Sequence, residues 1–250
     1  MGASEATLLV THADGNLGLV DGDERLIAEQ IEYYRSQAAE YDETSRPPGD
    51  SLGDFGHELT RALDAFRPTG NVLEIASGTG AWTIQLLRHA SLITALDASP
   101  EMHDQAAVKI NGDPRVRFVL GDVFSWEPDT PYDVVFFANW LSHVPPTRFE
   151  TFWAMVGNAL RASGRIFFID ELLDAWRQDH LPEEFVGDAG APIVHRSLRD
   201  GRCFRVVKVF WDPRELEPKL RGLGWHTEVH PVGPFFWAEA RRLDRPGSAT

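Results

Sequence analysis

The sequence predicts a doubly wound α/β fold, built on a seven-stranded, mostly parallel sheet whose last strand is antiparallel. Three observations carry this expectation. Short, strongly apolar runs alternate with helical patterns from about residue 71 to residue 169, as repeated βαβ units require. The first run is followed by a Gly-rich turn, Ser77-Gly78-Thr79-Gly80, which leads into a helix. After Asp170 the alternation stops and two hairpin-like pairs follow.

The elements follow in order. Residues 1–20 show no clear periodicity, and from Asp23 Leu26, Ile27, Ile31, Tyr34 and Ala38 recur at helical spacing, ending near Tyr41-Asp42. Pro47-Pro48-Gly49 marks a loop, and a second helix carries Phe55, Leu59, Leu63 and Phe66 on one face. The core alternation runs through strand Asn71–Ala76, helix Ala81–His89, strand Leu92–Leu96, a helix opened by Ser99-Pro100-Glu101, and strands Val116–Leu120 and Tyr132–Ala138. Ser as N-cap, Pro at the first position and an acid in the first turn fix the start of that helix. A long amphipathic helix with Phe149, Phe152, Trp153, Val156 and Leu160 precedes strand Arg165–Ile169. Arg199-Asp200-Gly201-Arg202 between Ile193–Leu198 and Cys203–Phe210 signals a hairpin. A helix from Pro213 to Arg221 and a pair Trp225–His230 and Phe235–Ala240, parted by Pro231-Val232-Gly233-Pro234, complete the sheet. The expected division is an N-terminal segment with a helical lid (1–66), a core (67–170), an inserted cap and hairpin (171–211) and a C-terminal completion of the core sheet (212–243).

Composition excludes several classes. A chain of 250 residues with 43% apolar content buries a full core. No apolar run approaches the ~18 residues of a membrane span, and the N-terminus lacks the pattern of a secretory signal. The one cysteine, Cys203, cannot form an internal disulfide, and no Cys/His spacing suggests zinc, so a cytoplasmic protein without a metal is expected. A net charge of −14 argues against a nucleic-acid partner, whose phosphates demand Lys and Arg. The Arg-rich stretch His195–Arg205 reads as a solvated strand face, with an anionic-ligand site as the alternative.

The Gly-rich turn narrows the cofactor. Gly78 and Gly80 let backbone approach a ligand closely. The dinucleotide pattern G-x-G-x-x-G needs Gly at position 83, where Thr83 stands, which counts against an NAD(P)-binding oxidoreductase. Val72-Leu73-Glu74-Ile75-Ala76-Ser77-Gly78-Thr79-Gly80 resembles the first motif of class I S-adenosylmethionine (SAM)-dependent methyltransferases, an acid in strand one followed by G-x-G-x-G. Order and spacing are similar from about residue 30 to 170, and the likeness is to the small-molecule type found in ubiquinone and menaquinone biosynthesis. Ala76 replaces the first Gly, which a negative φ would accommodate.

The resemblance implies SAM as cofactor and S-adenosylhomocysteine (SAH) as its product, bound by Glu74, Ala76, Ser77, Gly78 and Gly80. It gives Asp97, at the end of strand two, the ribose hydroxyls, with Ala98 and Met102 beside it. Asp122 and Val123 match the adenine-binding position, and Asn139 the strand-four carbonyls near the cofactor's amino group. An ordinary turn remains the alternative for Asp122, as does a loop brace for Glu74. The acceptor is expected to be small and aromatic or partly apolar, methylated on O, N or C. His143 is the candidate base, with positioning as the alternative. Tyr33, Tyr34 and Tyr41 resemble an aromatic lid, and Trp140, His143 and Trp176 are candidates for the acceptor wall, with simple packing as the alternative. A homodimer through the hairpin edge is conceivable, and a SAM-binding module without turnover is the alternative function. Calorimetry with SAM, SAH and NAD(P) tests this reading: SAM and SAH bind, NAD(P) does not, and Asp97→Ala weakens SAM binding strongly.

Overall fold

A parallel strand covered on both faces must be apolar at successive positions, and β4 (Tyr132–Ala138) shows how this chain meets the demand. Val134 and Phe136 face one core, while Val135 and Phe137 face the other. In β5 (Leu160–Glu171), Phe167 and Ile169 join the first core and Ile166 and Phe168 the second. The computed structural model describes residues 20–44, 52–173 and 193–243. Among them no helix is long and apolar enough to cross a membrane.

The chain order is α1 (Val20–Gln37), α2 (Tyr41–Thr44), α3 (Leu52–Phe66), β1 (Gly70–Ile75), α4 (Ala81–Leu86), β2 (Ala90–Asp97), α5 (Pro100–Ile110) and β3 (Val116–Leu120). After β4 come a 3-10 turn (Leu141–His143), α6 (Phe149–Ala159) and β5. The hairpin β6 (Ile193–Ser197) and β7 (Cys203–Val207), helix α7 (Pro213–Gly222), β8 (Trp225–Val232) and β9 (Phe235–Arg242) follow. Seven strands form one sheet in the order β3-β2-β1-β4-β5-β9-β8, while β6 and β7 form a separate two-stranded sheet. Strands β3, β2, β1, β4 and β5 pair in parallel, and β9 runs antiparallel to β5 and β8. The predicted architecture is therefore present, including the antiparallel last strand and the separate hairpin.

Helix α6 lays Phe149, Phe152, Trp153 and Val156 on one face of the sheet, joined by Leu216 and Leu220 of α7. On the other face Leu59, Leu63 and Phe66 of α3 pack against Val72, Phe136 and Phe167. Helix α1 does not join either layer. Its Tyr33 closes a small third core with Val194, Leu198 and Val206 of the hairpin region.

Several boundaries differ from the periodicity. Helix α4 stops at Leu86 instead of His89, because Asp64 draws Arg88 (2.9 Å) and His89 (2.7 Å) into a turn. The first helix breaks after Gln37, and Tyr41–Thr44 forms a turn of its own. The final hairpin is tighter than the four-residue turn expected: Pro231 pairs with Phe236 and Val232 with Phe235, leaving only Gly233-Pro234. A proline is tolerated in β8 because this strand lies at the sheet edge.

Gly233 has φ +53, and a Cβ there would sit 2.3 Å from Phe55 Cε1 of α3. Gly233→Ala is expected to lose ~1–3 kcal/mol through overpacking and left-handed strain, read as a lowered thermal midpoint.

Candidate active site

The parallel register brings the C-terminal ends of β1, β2 and β4 to one edge, where the chain reverses its winding between β1 and β4. Two residues that end strands here are left-handed without being glycine: Ala76 at φ 52 and Asn139 at φ 52. The negative φ expected of Ala76 is thus corrected. The conformation costs roughly 1–2 kcal/mol for a residue with a Cβ. The turn is held nonetheless: Ser77 N donates to Leu96 O (3.1 Å), and Gly78 N donates to Asp97 Oδ2 (2.8 Å).

The glycines of the turn have different reasons. At Gly80 (φ +79) a Cβ would lie 3.0 Å from Ala106 Cβ, so glycine permits α4 and α5 to approach. At Gly78 (φ +53) a Cβ would meet nothing nearer than Ala76 O at 4.0 Å, leaving open space beside the backbone. Around this edge Ser77 Oγ, Asn139 Oδ1 and Trp140 Nε1 are buried without a hydrogen-bond partner among the described residues. Buried polar atoms are rarely orphaned in a complete site. Open space beside Gly78, left-handed backbone and unpaired polar atoms on one sheet edge fit a polar ligand.

Asp97 lies at the end of β2 with burial pushing its carboxyl up, against the pull of hydrogen bonds from Ser99 N and Gly78 N. Ala98 follows it, and Met102 is buried in the first turn of α5, its N–H donated to the Ser99 cap (3.1 Å). Gly121 N donates to Asp97 O (2.9 Å), which ties the loop after β3 to this edge. Asp122 accepts from Phe124 N (3.1 Å) and so shapes its own turn, while the Val123 side chain enters the main core. Glu74 is buried and accepts from Thr83 Oγ1 at 2.7 Å, and burial raises its pKa to about 8. This is the loop-brace arrangement: Thr83, the residue that breaks the dinucleotide pattern, supports the strand-one acid.

The candidate acceptor residues divide. Tyr33 is committed to the α1–hairpin core, where its ring meets Phe204. Tyr34 packs edge-on against Tyr33 (5.0 Å) at the margin of the same core, with its hydroxyl 2.9 Å from His143 Nε2 and its ring against Tyr41. Trp140 packs on Phe124. Trp176 lies outside the described residues.

His143 is buried in the 3-10 turn and its Nδ1 lies 2.7 Å from Val207 O. A carbonyl only accepts, so Nδ1 carries the proton and Nε2 accepts from the Tyr34 hydroxyl. Gln30, one helical turn before Tyr34, donates to His143 O (3.3 Å) and accepts from Val207 N (3.0 Å). Burial first, then the charge of Lys208, holds the imidazole well below its usual pKa, and burial holds the Tyr34 phenol well above its own. Both groups are neutral at pH 7.

Sequence reasoning missed the polar residues beneath this pair. Lys208 is buried, ion-paired to Glu171 (2.6 Å) and bonded to Ser142 Oγ (3.1 Å). Asp170, also buried, accepts from Ser142 N (2.8 Å). A lysine at the end of a hairpin strand ordinarily reads as solvated, so nothing local marks it. Gln30 was detectable as a polar residue on the apolar side of α1, spaced i, i+4 from Tyr34.

The Arg-rich hairpin is the solvated strand face expected, with the side chains of Arg199, Arg202 and Arg205 each more than half exposed, and its arginines meet acids and a serine of the N-terminal helices. Arg205 pairs with Glu29 (2.7 Å), Arg199 with Glu40 (3.2 Å) and Glu43 (3.0 Å), and Arg202 bonds Ser36 (3.0 Å). The guanidinium groups clamp α1 and α2.

Residues 72–164 match a family model described as a methyltransferase domain. The fold superposes on the DhpI–SAH complex with a TM-score of 0.75 and 39% identity, covering 88% of this chain and 98% of that one. The DhpI–SAM–HEP complex gives 0.74 and 40%, over 86% and 97%. A malonyl-[acyl-carrier protein] O-methyltransferase of Ilyobacter polytropus is 35% identical over 68 residues, 26% of this chain and about a quarter of that protein's length. The chain belongs to the class I SAM-dependent methyltransferases. A more distant fold relative is the Burkholderia thailandensis 1,6-didemethyltoxoflavin-N1-methyltransferase, at 19% identity and TM-score 0.60 over 93% of this chain and 94% of that one.

Glu74 yields a pH prediction. Its folded pKa lies above its unfolded value, so it favours folding fully below about pH 4.5, and that support is lost as pH rises to about 8. Urea denaturation of wild type and Glu74→Gln across this window should show the difference in stability shifting in favour of the variant as pH rises, then levelling above about 8.

Proposed function

We propose that this enzyme methylates a small acceptor whose nucleophilic atom is ready at neutral pH, an oxyanion or an uncharged amine, bound beside Tyr34, His143 and Trp140. The observation that carries this reading is the locked tautomer of His143. Its one basic nitrogen already accepts from Tyr34 (2.9 Å), and burial and Lys208 depress its basicity. Such an imidazole is a poor base, so positioning is the role the geometry supports.

SAM supplies an activated methyl group on a sulfonium, and the protein's part is placement and exclusion of water. In this reading the backbone of Ala76–Gly80 and the side chains of Ser77, Asp97 and Asn139 hold the cofactor. Ala98, Met102, Asp122 and Val123 line its nucleoside end. His143 fixes the Tyr34 hydroxyl by taking its proton in a hydrogen bond, which leaves the phenol oxygen as an acceptor toward the substrate. Lys208 and Arg196 both lower the pKa of His143, while Glu171, paired to Lys208, offsets their charge, and the acceptor-only Tyr34 oxygen suits an N–H of the substrate. Tyr41 and Trp140 add the apolar part of the pocket, in line with a partly apolar molecule. Tyr33 is assigned to packing.

The test is a screen of small carboxylates, phosphate esters, amines and phenols with radiolabelled methyl donor, followed by a pH profile on the best acceptor. Rates with an acceptor of constant charge should be flat from pH 6 to 8, and Tyr34→Phe should lower kcat/KM about 10- to 100-fold with the KM for SAM little changed. A rate that climbs through pH ~6.5 and is abolished in His143→Gln would restore the general-base role.

A further inference from the structure

Residues 35–44 cross from the lid to both loops that the cofactor reading uses, and each crossing is made by a named side chain. Asp42 accepts from Thr79 Oγ1 (2.6 Å), in the turn after β1, and pairs with Lys109 near the end of α5. Arg35 makes two bonds to Glu101 (3.1 Å each) at the start of α5. Glu101 also accepts from Ser99 Oγ (3.1 Å), and Ser99 N donates to Asp97 Oδ1 (2.9 Å). Gln37 Nε2 donates to Thr44 Oγ1 (3.0 Å), joining the end of α1 to α2. The hairpin holds the same segment from its other side through Arg199 to Glu40 and Glu43.

We propose that Asp42 latches the lid onto the cofactor turn through Thr79 and Lys109, so that release of SAH requires this contact to break. The inference rests on the SAM-site reading above. Asp42 is a positioning residue: it acts on bound cofactor through Thr79 and through the strap it anchors. The bonds are polar and partly exposed, with Asp42 at 44% and Lys109 at 27% side-chain exposure. Contacts of this kind are individually weak, so the one at Asp42 can break while the Arg35–Glu101 and Arg199 pairs persist. The same strap carries Tyr34 into contact with His143, so opening at Asp42 also loosens the acceptor side.

The experiment measures association and dissociation of SAH by stopped-flow fluorescence in wild type, Asp42→Ala, Thr79→Val and the double variant. Asp42→Ala is expected to raise the dissociation rate about five- to tenfold while association is unchanged or faster, as for loss of one charge-assisted hydrogen bond. Thr79→Val, which approaches the contact from the opposite side, should do the same. The double variant should release SAH no faster than Asp42→Ala, because that variant already removes the bond that Thr79→Val removes. A merely structural effect on the turn would slow association and add in the double variant; either result overturns the latch. SAH dissociation at the wild-type rate in both single variants also overturns it. If the wild-type protein binds neither SAM nor SAH, the cofactor reading falls first and the latch with it.

Discussion

Parallel pairing of β1 with β2 on one side and β4 on the other is the constraint on which the site depends. It aligns the ends of three strands, so that Ala76, Asp97 and Asn139 emerge together. Left-handed backbone at Ala76 and Asn139 is costly in isolation and persists where its surroundings over-determine it. Here the surroundings are neighbouring strands: Ser77 N is held by Leu96 O and Asn139 N by Ile169 O. The sheet thus spends part of its stability on two turns that would otherwise relax and close the gap between them.

How far this was legible in the sequence depends on the range of the interaction. Strands β3 and β4 agree with their apolar runs to the residue, because a buried parallel strand announces itself locally. The Ser99 cap and the strand-end acid Asp97 are equally local. The φ of Ala76 was not legible, since a residue with a Cβ is expected at negative φ and the neighbours that override this come from β2. Nor was the pairing of Tyr34 with His143, which joins residues far apart in the chain through α1, a helix whose partner is the hairpin and not the sheet. Lys208 reads as solvent-facing by residue type although it is buried, and Arg199, which is exposed as its type suggests, gives no local sign of the acid it meets. Their carboxylate partners, Glu171 and Glu40, were visible only as acids on other elements.

Beneath the lid the protein uses burial as a chemical tool. Surrounding His143 with packed atoms and a nearby ammonium removes its capacity to gain a proton, and the same burial keeps the Tyr34 phenol from losing one. The result is a neutral hydrogen-bonded pair with a single orientation, anchored by Val207 O and by Gln30. In the proposed reading, such a pair selects substrates by hydrogen-bond direction and leaves the question of nucleophile strength to the substrate. This agrees with a reaction in which the donor brings the driving force.

The arginine clamp on α1 has a consequence for the solution in which the enzyme works. Its pairs, Arg205 with Glu29, Arg199 with Glu40 and Glu43, and Arg35 with Glu101, lie at the surface, where the Debye length is about 8 Å at physiological ionic strength and shrinks to about 3 Å at 1 M. The apolar attachment of the helix is its buried Leu26 and Ile27 together with the small cluster around Tyr33. Added salt weakens these pairs and not the buried anchors of the helix or the aromatic packing of the central sheet. Ionic strength thus acts on one part of the attachment of α1, whatever charge a ligand carries.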